Sequence, residues 1–152
     1  MDTNGNTKEL IKDLCSRLPY GVKVSKVVEN WTSDPHPIRS VNLNNIIVED
    51  GEFEDGTPDI DIWDYEEIKP YLFPLSSMTD EQWRELFETA GYEVREEDCG
   101  RHTEMYYYDM VGHNNTLYPS CDAIDWLNDH HYDYRGLIEK GLAIDATGLN
   151  IY

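Results

Sequence analysis

Positive charge is what this chain has least of. Only 12 Lys and Arg stand against 31 Asp and Glu, a formal net charge of −19 on 152 residues. A protein that grips phosphates needs a basic stripe to displace counterions, and the nearest approach to one is Lys23 with Lys26. Direct binding of DNA or RNA is therefore not expected. Cysteine is scarce too: Cys15, Cys99 and Cys121 are few and odd in number, which argues against a disulfide framework. Residues 1–20 hold no basic start followed by an apolar run, so a reducing cytoplasm with three free thiols is the expected setting. No window approaches the ~18 apolar residues of a membrane span.

Recognised chemical motifs are missing as well. The chain has no Gly-x-Ser-x-Gly elbow, no phosphate loop and no dinucleotide fingerprint. The acidic run at 49–67 fails as a calcium loop, because counting from Asp50 puts Asp55 where Gly belongs and Asp61 where Glu belongs. Cys99 and His102 are spaced like half of a zinc site, but His113 and Cys121 do not form a second close pair. His130 and His131 are adjacent, and neighbours on a helix point about 100° apart, so both do not readily ligate one ion. They are expected to be structural: one at a helix C-terminus, with Asp133 capping the turn that follows. No metal or other cofactor is expected.

What is present is enough to fold. Hydrophobic residues make up 39% and aromatics 12%, too much for a disordered chain. The length suits one domain over 1–152, with subdomains at 1–72 and 73–152 as the alternative division. Residues 8–18 place Leu10, Ile11, Leu14, Cys15 and Leu18 on one helical face, with Lys, Glu, Asp and Arg opposite. Val22, Val24 and Val27 or Val28 suggest a strand. Residues 38–50 read as a hairpin around Asn44-Asn45, a pair that tolerates left-handed turns. Ile60 and Ile62 alternate with Asp59, Asp61 and Asp64, as in a further strand, before prolines in "KPYLFPL" limit regular structure. Thr79 with Gln82 spells a capping box, Met78 and Trp83 a hydrophobic staple, and Gly91 a stop, so a helix is expected over 80–90. "MYYYDMV" at 105–111 reads as a strand, Ser120 opens a second capped helix, "YRGLIEKG" a turn closed by Gly141, and "LAIDA" a last strand. The expected fold is α+β: a small antiparallel sheet or partly open barrel, with an N-terminal helix and two capped helices packed on it.

The stretches "LCSRLPYGVKV", "YEEIKPYLFPLSSMTDEQ" and "DWLNDHHYDYRGLIEKGLAIDA" together resemble an uncharacterised family of short proteins found in gut Bacteroidetes, their phages and mobile elements. The resemblance implies a mobile-element origin and a bacterial cytoplasm, and it implies no activity.

These readings favour a non-enzymatic acidic accessory protein that binds a host or mobile-element protein. Its sharper form is an inhibitor of a nucleic-acid-binding defence protein that mimics the charge of DNA. Acidity is spread over the chain, with 15 acidic and 7 basic residues in 1–76 and 16 and 5 in 77–152. Its densest part, 49–67, has no Lys or Arg. The expected partner-binding residues are Glu52, Glu54, Asp55, Asp59, Asp61, Trp63, Asp64 and Tyr65, with Phe53, Ile60 and Ile62 as further apolar anchors. Two alternatives stand beside this reading: a small metal-dependent hydrolase using His130, His131 and nearby carboxylates, and an oligomeric structural or packaging component.

Overall fold

The computed structural model describes residues 3–91 and 121–152. They form two compact units, residues 1–74 with 131–152 and residues 75–130. The first holds helix α1 (Thr3–Arg17) and all seven strands: β1 (Lys23–Val28), β2 (Trp31–Thr32), β3 (His36–Val41), β4 (Asn45–Glu52), β5 (Pro58–Asp64), β6 (Ile68–Leu72) and β7 (Ile144–Asp145). The strand order is β5-β4-β3-β1-β6-β7, with β2 paired to β1. The sheet is open, so of the two expected forms it is not the barrel. All neighbours are antiparallel except β6 and β7, a parallel pair formed when the chain returns after the second unit.

Leu10, Leu14, Val22, Val24, Ile38, Ile46, Val48, Trp63, Ile68, Leu72 and Leu137 build the core of this unit. Burying each aliphatic side chain contributes about 1.5–3 kcal/mol. Helix α1 forms where its periodicity predicts, but its register corrects two expectations. Cys15 is exposed, not buried, and Asp13 and Arg17 point inward beside Leu10 and Leu14. The spacing 10, 13, 14, 17 is as helical as 10, 11, 14, 15. The inward set pairs its two charges, Arg17 Nε donating to Asp13 Oδ2 at 2.9 Å, and gives Arg17 Nη2 a distant acceptor, the Tyr132 carbonyl at 2.6 Å.

Two further expectations change. The 38–50 hairpin exists, but Asn45 already belongs to β4 and neither Asn44 nor Asn45 has a positive φ; the turn closes through Asn42 N–H to Asn45 O at 2.9 Å. The prolines of "KPYLFPL" do not prevent a strand. Pro70 lies inside β6 opposite Val24, and β7 pairs only with Tyr71 and Leu72, so no ladder to β7 demands a donor from Pro70.

The second unit contains α2 (Asp80–Thr89) and α3 (Cys121–Asp129), which touch each other. Helix α2 begins as its sequence requires: Gln82 N–H donates to Thr79 Oγ1 at 3.2 Å, and Thr79 N–H donates to Gln82 Oε1 at 2.9 Å. Met78 and Trp83, the staple pair, are both buried, and Gly91 leaves the helix at φ 89°. Trp83, Leu86 and Phe87 form its buried face, and Ala123, Trp126, Leu127 and Asn128 that of α3. Thr79→Ala is expected to lower stability by about 0.5–2 kcal/mol, read from denaturant unfolding; unchanged stability would mean the box contributes nothing. The expected strand at 105–111, the Ser120 cap, and Cys99, His102 and His113 lie outside the described residues.

Candidate partner-binding surface

Strands β4 and β5 form a hairpin on the outer edge of the sheet. Its loop is closed by Phe53 N–H donating to Thr57 O at 2.8 Å and Gly56 N–H to Phe53 O at 2.9 Å, with Gly56 at φ 80°. Asp55 Oδ1 accepts from the Thr57 hydroxyl at 2.6 Å and from its N–H at 2.9 Å. Those two bonds hold the Asp55 carboxyl below its ordinary range, so it stays charged.

The register sorts the side chains of the two strands. Ile46 faces Trp63 and Val48 faces Asp61 on the side turned to the core, while Ile47 faces Ile62 and Glu49 faces Ile60 on the other. Trp63 is 5% exposed and Tyr65 6%, which corrects their assignment as partner-binding anchors. Trp63 meets the His36 ring edge-on at 5.4 Å and donates from Nε1 to Asp61 Oδ2 at 2.7 Å. The Tyr65 hydroxyl donates to the Asn42 carbonyl. Ile60 and Ile62, by contrast, are 49% and 60% exposed, and Phe53 at the loop is 56% exposed. Period two alone does not say which face a strand buries; the decision came from Trp63, whose ring has more apolar area to remove from water than either Ile.

The carboxylates divide in the same way. Glu49 pairs with Arg39 at 3.1 Å and Glu67 with Lys26 at 2.9 Å, so cations from β3 and β1 reach into the run that lacks its own. Asp50 Oδ1 lies 3.5 Å from His36 Nδ1. Asp61 is tied to its own strand through both oxygens, because Oδ1 also accepts the Ile62 N–H at 2.9 Å. Glu52, Glu54, Asp55 and Asp64 are exposed and Asp59 half-buried, so these five of the expected residues line the hairpin as accessible charge. Ile47, which the sequence reading did not single out, joins them as the half-buried cross-strand neighbour of Ile62. Alternation within "NIIVED" carried that signal, since Ile46 and Ile47 must face opposite ways.

The paired histidines have separate tasks. The His130 ring stacks on Trp126 at 3.9 Å, with Nδ1 2.9 Å from the Trp126 carbonyl. His131 follows the helix in the left-handed region, φ 60°, where glycine usually stands, and its ring stacks on Tyr152 at 3.6 Å. Its carbonyl accepts the Phe73 N–H at 2.9 Å, and Asp133 N–H returns to Phe73 O at 2.8 Å. Asp133 then caps the next turn, accepting from Leu137 and Ile138 N–H at 2.9 and 2.8 Å. Among the described residues no group of three or more His, Cys, Asp or Glu is placed to hold a metal ion.

Burial pushes the phenols of Tyr65 and Tyr152 up to about 12. Tyr152 as a residue is 41% exposed, but its hydroxyl is held on both sides, donating to Tyr71 O at 2.7 Å and accepting from Lys23 N–H at 3.1 Å. A raised phenol means that the unfolded chain ionises first, near pH 10, so stability falls as pH rises from about 10 to 12. Phenolate absorbance should show Tyr65 and Tyr152 titrating late in the native protein, with the late-titrating signal reduced by one phenol in each of Tyr65→Phe and Tyr152→Phe. Ordinary titration of either would contradict the burial.

No helix among the described residues is long and apolar enough to cross a membrane. No family model, curated protein or solved structure matches this chain.

Proposed function

We propose that this protein is an acidic accessory protein of a phage or mobile element that works by binding a basic protein of its host or element through the β4–β5 hairpin. Its sharper form is occupation of a nucleic-acid-binding groove by charge mimicry. The observation that carries the reading is the surface itself: Phe53, Ile60 and Ile62 stand exposed among Glu52, Glu54, Asp55, Asp59 and Asp64 on the edge of the sheet. Unneutralised carboxylates speed and orient the approach of a cationic partner, and apolar side chains supply the contact area that charge lacks. A net charge of −19 exceeds the magnitude of about 2 to 8 that solubility requires. DNA carries about one charge per 1.7 Å of duplex, and grooves shaped for it attract acidic surfaces of this kind. Family resemblance supports the mobile-element origin.

The test is capture of DNA-binding proteins from host lysate on the immobilised chain, with elution by salt and by duplex DNA. Glu54→Gln, Asp59→Asn and Asp64→Asn together spare Asp61, which holds Trp63. At about 0.2–1 kcal/mol for each exposed pair, the triple variant should bind its partner roughly 3- to 150-fold more weakly. Capture indifferent to salt, to DNA and to the three substitutions would sink the reading.

A further inference from the structure

Strand β5 has β4 on one side and, among the described residues, no strand on the other. The loop bond from Phe53 N–H to Thr57 O sets the phase of the ladder. Carried through the register and the irregularity between Glu49 and Glu52, it turns the backbones of Pro58, Ile60, Ile62 and Asp64 to the free side. Two observations agree with that phase. Pro58, which has no N–H to offer, stands at an outward position, and the Ile62 N–H bonds to the Asp61 carboxylate.

We infer that this edge accepts an extended cationic segment of a partner protein as an added strand. The inference rests on the proposed acidic binding surface and specifies how a partner uses it. Main-chain bonds would form at Ile60, Ile62 and Asp64, and the partner's carbonyl would replace Asp61 Oδ1 on the Ile62 N–H. That exchange frees a carboxylate oxygen for a Lys or Arg of the incoming strand. Alternate side chains of that strand would lie beside Ile60 and Ile62, and the others beside Asp59 and Asp61, so the fitting segment alternates apolar and basic residues. Charge selects the occupant. A second copy of this chain, pairing edge to edge, would bring Asp59, Asp61 and Asp64 against their own equivalents on a molecule of net charge −19. The Asp61 contact and Pro58 guard the edge in the same sense, leaving it open to a strand of opposite charge.

The experiment uses the full chain and a ten-residue peptide alternating Arg with Val, alongside the same peptide N-methylated at alternate amides on either edge. Binding is measured by calorimetry or anisotropy at two salt concentrations. The unmodified peptide should bind in a salt-sensitive manner, and methylation on one edge but not the other should weaken it at least tenfold. Ile60→Pro, which removes an outward N–H and leaves the bonds to β4, should weaken binding similarly while keeping the thermal midpoint. If that variant fails to fold, the peptide pair on the unmodified chain still decides. Equal binding of all three peptides overturns strand addition and leaves the acidic surface standing. No binding of any cationic peptide overturns both. Light scattering that gives twice the 17.7 kDa chain mass, reverting to one chain in Ile60→Pro, overturns the inference by assigning the edge to a second copy.

Discussion

Arg17→Ala is expected to destabilise the first unit by about 3–5 kcal/mol, the cost of leaving one member of a buried charge pair alone. Arg17 has no exposed surface. Its Nε donates to Asp13 Oδ2 at 2.9 Å, its Nη2 donates to the Tyr132 carbonyl at 2.6 Å, and its Cζ lies 5.2 Å over the Tyr134 ring. One side chain therefore ties α1 to the segment that returns after the second unit. Arg135 supports the same cluster, with Nε 3.4 Å from Asp13 Oδ1 and Cζ 5.1 Å from the centre of the same Tyr134 ring. Burial pushes the Asp13 carboxyl upward, and Arg17 is the main influence opposing it. A raised carboxyl favours the native state at low pH, and this contribution is lost as pH rises from the ordinary value of 3.8 through the folded one. Without Arg17 the loss should deepen, so the defect of Arg17→Ala should be larger at neutral pH than at pH 4. Urea unfolding at both values checks the sign. Asp13→Leu with Arg17→Met should cost less than Arg17→Ala, because no uncompensated charge stays inside. A double variant no milder than the single one would show that lost packing, not charge, dominates.

Trp63→Ala is expected to cost about 3–5 kcal/mol, as large-to-small changes at buried aromatics do. The ring fills the inner face of the edge hairpin opposite Ile46 and against His36, and its Nε1 fixes Asp61. Trp63→Phe should cost less in packing but leave Asp61 Oδ2 without its donor, freeing the carboxylate that holds the Ile62 N–H. The pair of variants separates two roles for this residue. A side chain that anchors a partner would lower affinity when removed and leave the thermal midpoint in place. A core side chain does the reverse, and a loss of under about 1 kcal/mol in Trp63→Ala would contradict the core assignment.

Several elements were determined by the sequence alone because their causes are local. Helix α2 is specified within a few residues: Thr79 and Gln82 exchange bonds across one turn, Met78 and Trp83 at the staple positions are both buried, and Gly91 relaxes the backbone at its end. Asp133 captures amides four and five residues onward, and the β4–β5 hairpin closes over its own loop. Tertiary structure decided the rest, because the partners are distant in the chain. Whether α1 turns Cys15 or Arg17 inward depends on a carbonyl 115 residues away, at Tyr132. Pro70 can sit in β6 because β7, arriving from Ile144 and Asp145, pairs beyond it. Trp63 and Tyr65 left the expected binding surface because their rings remove more apolar area from water than Ile60 and Ile62 do, and only a core on one side of the sheet can say which face that is. Alternation along a strand separates two faces; burial, a property of the assembled sheet, chooses between them.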